Sequence, residues 1–179
     1  MQQDLERLGV GGMGVVMRAR HKEMNLPVAL KLILADMPDM EEVERFEREA
    51  MTLAQLQHAN IVRVRDYGSH NGKPFLAMDL IDGSDLKKRV DEHMRTEGEV
   101  PDFGWTVELM TAVASALVLC AERGIVHRDL KPANILVEKD SDRPLIVDFG
   151  LVKAGGGIPG GDQLTQTGQT LGTPAYMAP

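Results

Sequence analysis

The octapeptide HRDLKPAN, His127 to Asn134, sets five polar or charged side chains between two apolar runs, ALVLCAERGIV before it and ILV after it. Asp, Lys and Asn beside a hydrophobic core are costly unless each has a partner, so a ligand site is the first reading of this stretch. A polar turn between a helix and a strand is the other. Nothing inside the octapeptide decides between them.

Three further stretches bear on the choice. Gly9, Gly11 and Gly14 in LGVGGMGVV follow a G-x-G-x-x-G-x-V pattern, which lets backbone N–H groups approach phosphate oxygens without side-chain obstruction. In a chain with 18 glycines a flexible turn is an equal reading of this stretch alone. A dinucleotide-binding fingerprint would open a helix and carry an acid about twenty residues on. Here the residues after the loop, VVMRAR, alternate like a strand, and the next element ends in VALK. Lys31 of VALK is either a solvated strand charge or a ligand for phosphates, held in turn by a carboxylate of the acidic helix that follows, where FEREA offers Glu47 and Glu49. Asp148 opens DFG directly after LIV, the end of a strand, where metal-binding carboxylates are common. Each piece is weak alone, and their order carries the weight.

The elements that would position these residues are legible in outline. GVVMRAR and PVALKLIL read as strands, and Asp39 to Gln57 as an amphipathic helix with Val43, Phe46, Ala50, Leu53 and Leu56 on its apolar face. NIVRVRDYG and KPFLAMDLI read as strands joined through SHNG, whose Asn-Gly is a hairpin signal. GSDLKKRVDEHM reads as a short helix, and DFGWTVELMTAVASALVLCAERG as a longer, more buried one ended by Gly124. Short strands follow around Ile135 to Val137 and Leu145 to Val147, and then a long Gly-, Thr- and Gln-rich loop from Ala154 to Thr173. A strand-rich first half and a helix-led second half predict an α+β fold in two lobes.

Composition bounds the function. The 179 residues include 43% hydrophobic and 26% charged side chains, as in a soluble globular protein, and the net charge of −7 argues against nucleic acid as a partner. No membrane segment or secretory signal is read from the sequence, which predicts a cytoplasmic domain and leaves open an anchor elsewhere in a longer protein. Cys120, the one cysteine, lies in an apolar helical run and reads as core rather than nucleophile. His21, His58, His70 and His93 show no zinc-ligand spacing, and His58 reads as a structural loop residue.

Taken together, the glycine loop, VALK, HRDLKPAN, DFG and GTPAYMAP resemble the protein kinase superfamily in content and order, over essentially the whole chain. GGMGVV, RFEREA and HANIV are most similar to the bacterial Ser/Thr branch, and Lys131, two residues after Asp129, matches that family's Ser/Thr mark. The resemblance implies a two-lobed kinase-like fold: an antiparallel-sheet N-lobe with one long helix at 1–78, a hinge at 79–85, and a partial helical C-lobe at 86–179 ending within the activation segment. The implied activity is transfer of the γ-phosphoryl group of ATP to Ser/Thr hydroxyls of proteins, with Mg²⁺ as cofactor.

The resemblance also assigns roles. Gly9, Gly11 and Gly14 would cover the phosphates, Val16, Ala29 and Leu136 would enclose the adenine, and Lys31 would contact the α- and β-phosphates and pair with Glu49, preferred to Glu47 for its place in REA. Met78 matches the gatekeeper, the backbone of Asp79 and Ile81 the hinge that binds adenine, and Asp85 a ribose-contacting acid. Asp129 would accept or orient the substrate hydroxyl, Lys131 would stabilise the transferring phosphoryl, and Asn134 and Asp148 would hold Mg²⁺. His127, Phe149, Leu53 and Val64 match the stacked apolar side chains that couple the lobes. Thr165, Thr167 and Thr170 are candidates for autophosphorylation between two copies of the chain, near Arg128, Lys153 and Arg45, whereas Thr173 matches a threonine that contacts the catalytic loop.

Departures are few: Asp79 stands where a hinge Glu is usual, and Met17 where an aromatic residue is common. Because the chain stops at Pro179, before the Glu of the APE motif, the 179 residues on their own are expected to be inactive. A non-catalytic nucleotide-binding or interaction module of the pseudokinase kind is the alternative, disfavoured by the presence of Lys31, Asp129, Asn134 and Asp148. Small-molecule phosphotransferases with a kinase-like core would lack DLKPAN followed by GTPAYMAP.

Overall fold

The structure is a computed structural model that describes residues 6–11, 14–33, 40–149 and Tyr176. The chain divides into two compact units, one formed by 1–57 and 62–81 and the other by 58–61 and 82–179. The element types and their order are those of the α+β fold expected above.

In the first unit, the described strands β1 (Glu6–Gly11), β2 (Gly14–His21), β3 (Leu26–Ile33), β4 (Val64–His70) and β5 (Lys73–Asp79) form an antiparallel sheet in the order β1-β2-β3-β5-β4. Their β-branched and aliphatic alternation gives the sheet one face built on Val28, Leu30 and Ala77, with Ala19, Leu32 and Phe75 packed against them. The β4–β5 hairpin turns at Asn71 and Gly72, whose φ angles of 53° and 74° are the pair of positive values that a two-residue type I′ turn requires. Helix α1 (Met40–Ala54) lies against β4 and β5. Its Phe46, Ala50 and Leu53 recur at helical spacing and are buried.

The second unit holds β6 (Gly83–Asp85), α2 (Leu86–Glu97), α3 (Phe103–Glu122), a 3₁₀ turn at Pro132–Asn134, β7 (Ile135–Glu138) and β8 (Pro144–Ile146). The three strands form a small antiparallel sheet in the order β6-β7-β8. Helix α3 packs on β8 and buries Leu109, Val113, Ala116 and Cys120, one stripe along its length. Cys120 is buried in the core, as its apolar context suggested, and that burial raises its thiol pKa. Among the described residues α3 alone is long and apolar enough to cross a membrane by length and composition. The helix also carries the exposed apolar side chains Phe103, Val107, Met110 and Val118.

The structure departs from the sequence reading at three places. The glycine-rich start, read as a loop, is strand β1 up to Gly11, because residues Glu6 to Gly11 find a partner in β2. The stretch read as the start of a helix, GSD, is β6. The helix begins only at Leu86, where Asp85 caps it by accepting the backbone N–H of Lys88 at 2.9 Å. The third concerns NIVRVRDYG, where β4 starts at Val64 rather than Asn60. The residues before it belong to the second unit: Asn60 donates its side-chain amide to the Pro144 carbonyl at 2.8 Å, Ile146 donates its backbone N–H to the Asn60 carbonyl at 2.8 Å, and Ile61 bridges Ile146.

Candidate active site

The octapeptide of the second unit lies between α3 and β7, and its polar side chains have partners. His127 is 4% exposed and bridges two backbones. Its Nε2–H donates to the Val147 carbonyl at 2.8 Å, and its Nδ1 accepts the backbone N–H of Asp129 at 3.3 Å. This pattern fixes the neutral tautomer. Burial lowers the imidazole pKa against the opposing pull of the Val147 carbonyl and of the Asp129 and Asp148 carboxylates. The ring also lies 4.7 Å from that of Phe149.

Around Asp129 the arrangement is tighter still. Asn134, 7% exposed, donates its side-chain amide to the Asp129 carbonyl at 2.7 Å and to the Asp129 carboxylate at 3.2 Å. The Lys131 ammonium lies 3.0 Å from the same carboxylate. The backbone N–H of Val147 donates to the Asn134 carbonyl at 3.0 Å, which ties the residue before Asp148 to the turn that carries Asn134. Arg128 and Asp148 both adopt left-handed backbone, with φ of 63° and 61°. Such values are uncommon for residues with a Cβ. Sequence-predicted Asp129, Lys131, Asn134 and Asp148 thus come together in one loop system. Its chemistry is a carboxylate beside a cation, with hard oxygen donors on Asn134 and Asp148.

In the first unit, directly paired residues of neighbouring antiparallel strands share a sheet face. The register aligns Gly9 with Val16, Val16 with Lys31, and Lys31 with Leu76, so one row crosses β1, β2, β3 and β5. Ala29 and Met78, paired with each other, lie two residues along on the same face. Gly9, Val16, Ala29, Lys31 and Met78 therefore occupy one face, opposite the one built on Val28, Leu30 and Ala77. Gly11 pairs with Gly14 across the end of the β1–β2 hairpin. A Cβ on Gly14 would lie 2.1 Å from the Leu32 carbonyl oxygen, whereas one on Gly9 would meet nothing within 4 Å. Glu47 and Glu49 are both half-buried on α1, so burial does not choose between them.

Met78 is buried, and Asp79 is the last residue of β5. The Asp79 carboxylate receives two bonds from Arg65, at 2.5 and 3.0 Å. Sequence reasoning noticed Asp79 but not this partner, for which no motif gives a signal. Asp85 is more occupied than its expected ribose contact suggested. Burial opposes ionisation of its carboxyl, but the Lys88 backbone N–H and ammonium outweigh it and hold the pKa below the ordinary value. Leu136 lies on β7, paired with both Asp85 and Leu145. Thr165, Thr167, Thr170, Thr173 and Lys153 lie outside the described residues, as does the side chain of Arg45.

A fold of antiparallel strands with one helix, followed by a helical unit carrying HRDLKPAN and DFG, defines a protein kinase domain, and a sequence profile of that domain matches residues 2–179. The chain belongs to the protein kinase family. It is 38% identical over 179 residues to serine/threonine-protein kinase PknF of Mycobacterium tuberculosis, covering 98% of this chain and 36% of that protein. It is 38% identical over 178 residues to serine/threonine-protein kinase pkn3 of Myxococcus xanthus, covering 96% of this chain and 31% of that protein. The chain thus spans about a third of the length of these curated relatives. The crystal structure of the PknI kinase domain of Mycobacterium tuberculosis superposes with a TM-score of 0.72 at 35% identity, over 81% of this chain and 58% of that one. A crystal structure of Rad53 in complex with AMP-PNP superposes with a TM-score of 0.69 at 30% identity, over 82% of this chain and 37% of that one.

Proposed function

We propose that the protein carrying this chain is an ATP-dependent protein Ser/Thr kinase of bacterial type. The observation that carries the reading is the Asn134–Asp129–Lys131 cluster, in which a buried amide and an ammonium hold one carboxylate. In the reaction, the Oγ–H of a substrate Ser or Thr attacks the γ-phosphorus of ATP. The Oγ–P bond forms, the bond to the β,γ-bridging oxygen breaks, ADP leaves, and the hydroxyl proton passes to Asp129. Lys131 offsets negative charge on the transferring group.

The residues present fit Mg²⁺. The amide nitrogen of Asn134 is committed to Asp129, which leaves its oxygen as a hard donor, and Asp148 supplies a carboxylate, the ligand type this ion selects. When bound, the ion would neutralise phosphate charge. In the first unit, Gly9, Gly11, Gly14 and Lys31 serve the phosphates, with Glu49 as the carboxylate for Lys31. Val16, Ala29 and Met78 serve the adenine, and the backbone of Asp79 and Ile81 hydrogen-bonds it. In the second, Leu136 adds apolar contact to the adenine and Asp85 shares its carboxylate with the ribose. Thr165 and Thr167 are the preferred sites of autophosphorylation between copies, ahead of Thr170, and a cytoplasmic supply of ATP sets the location.

The test is transfer of radiolabelled γ-phosphate to Ser/Thr peptides by the intact protein. Asp129→Ala and Asp148→Ala should each lower the rate by orders of magnitude, and undiminished transfer by Asp129→Ala overturns the assignment.

A further inference from the structure

The pairing of β4 with β5 contains one irregularity. Val64 faces Met78 and Asp66 faces Ala77, so two steps along β4 match one step along β5, and Arg65 is the extra residue of a β-bulge. A bulge re-aims a side chain. This one turns Arg65 onto the Asp79 carboxylate, which it meets through Nε at 2.5 Å and through a terminal nitrogen at 3.0 Å, the two-pronged geometry that gives Arg–carboxylate pairs their directionality. The side chains are 25% and 33% exposed, so the pair is partly shielded from solvent.

Asp79 is held at its backbone as well. Its N–H donates to the Arg63 carbonyl at 3.0 Å, and across the sheet it pairs with Val28 of β3. The strand ends at this residue, so Leu80 and Ile81 run on without a ladder of their own. The direction in which the chain leaves the sheet is therefore set at Asp79.

We propose that Arg65 is a positioning residue for the nucleotide: by clamping Asp79 it pre-organises the backbone of Asp79 to Ile81 that receives adenine. The inference rests on the kinase reading above. It also gives the aspartate at this position a purpose. Asp79 accepts both prongs of the bulged Arg65, so the two act as a pair. Pre-organisation of a binding backbone lowers the cost of binding and leaves the chemical step alone.

The experiment uses Arg65→Met, Arg65→Lys, Asp79→Met and the double variant of the intact protein, with KM for ATP, kcat and melting temperature measured for each. Hydrogen exchange at the Leu80 and Ile81 amides is followed without nucleotide. Arg65→Met should raise KM for ATP by about three- to tenfold with kcat within about a factor of two, and should speed exchange at Leu80 and Ile81. Arg65→Lys, which keeps the charge but loses the fork, should be intermediate. Adding Arg65→Met to Asp79→Met should change KM little further, because the two act as one unit. Unchanged KM and exchange in Arg65→Met overturns the proposal. So does a loss of kcat and melting temperature at constant KM, which would make the pair a sheet staple only. A wild-type protein that binds no ATP overturns the kinase reading instead, and the exchange rates then still report whether Arg65 fixes this backbone.

Discussion

Asn134 holds Asp129 twice, donating one amide group to its main-chain carbonyl and to its carboxylate. The NH₂ group has two hydrogens, one for each bond. Asn134→Asp would replace this donor with a second carboxylate facing the first, and Asn134→Ala would leave a half-buried carboxylate with one support fewer. Both variants should lower phosphoryl transfer by about a hundredfold or more, the cost of about 1 Å of misplacement, with Asn134→Asp the worse. Steady-state transfer to a Ser/Thr peptide checks the order.

His127 should make stability depend on pH. Its folded pKa lies below the ordinary imidazole value, chiefly through burial, so in that interval the unfolded chain binds more protons than the folded one. Stability contributed by the neutral ring is full above about pH 6.5 and is lost as pH falls toward the lowered folded value. Melting temperatures from pH 7.5 downward should therefore fall in the wild type. In His127→Phe, which keeps the ring beside Phe149, this part of the slope should vanish at a constant cost of about 1–3 kcal/mol for the two lost bonds.

The glycines of the first hairpin should separate by mechanism. Gly14→Ala places a methyl carbon 2.1 Å from the Leu32 carbonyl oxygen, a backbone atom that cannot swing away, and should cost about 1–3 kcal/mol of stability. Gly9→Ala meets nothing within 4 Å, so it should melt like the wild type yet bind ATP more weakly, because its methyl group intrudes on the space assigned to phosphate. Thermal melting and ATP titration on both variants make the comparison.

Asp85 offers a similar division between holding the fold and holding a ligand. Asp85→Asn keeps a good cap for α2 and should stay within about 0.5 kcal/mol of the wild type, whereas Asp85→Ala should lose about 1 kcal/mol. A rise in KM for ATP in Asp85→Asn at unchanged melting temperature would report the ribose contact; no rise removes Asp85 from the nucleotide site.

How much of this was legible depended on sequence distance. HRDLKPAN, VALK and the α1 stripe of Phe46, Ala50 and Leu53 rest on local order and periodicity, and the Asn71–Gly72 turn on the φ preferences of two residues. Strands β1 and β6 escaped because six and three residues of mixed polarity become strands only when a partner is present. The cap at Asp85 escaped because the helix was read as starting at Gly83, which put Asp85 inside it rather than ahead of it. The Arg65–Asp79 grip was hidden because a bulge breaks the alternation from which side-chain direction is read. The bond from Asn60 to Pro144 spans 84 residues, and no periodicity reports on that.

Residues 58–61 cluster with the second unit although 1–57 and 62–81 form the first. No single cut in the polypeptide yields both units whole. A protease that opened the chain between Ile81 and Asp82 would release a 1–81 piece still carrying Ile61, the bridge partner of Ile146, and the 82–179 piece would lose the residues whose backbone and side chain bond to Pro144 and Ile146. Recombining such pieces between homologues would require the four-residue graft to travel with the later half of the sequence, so the exchangeable module is discontinuous in the gene while contiguous in space.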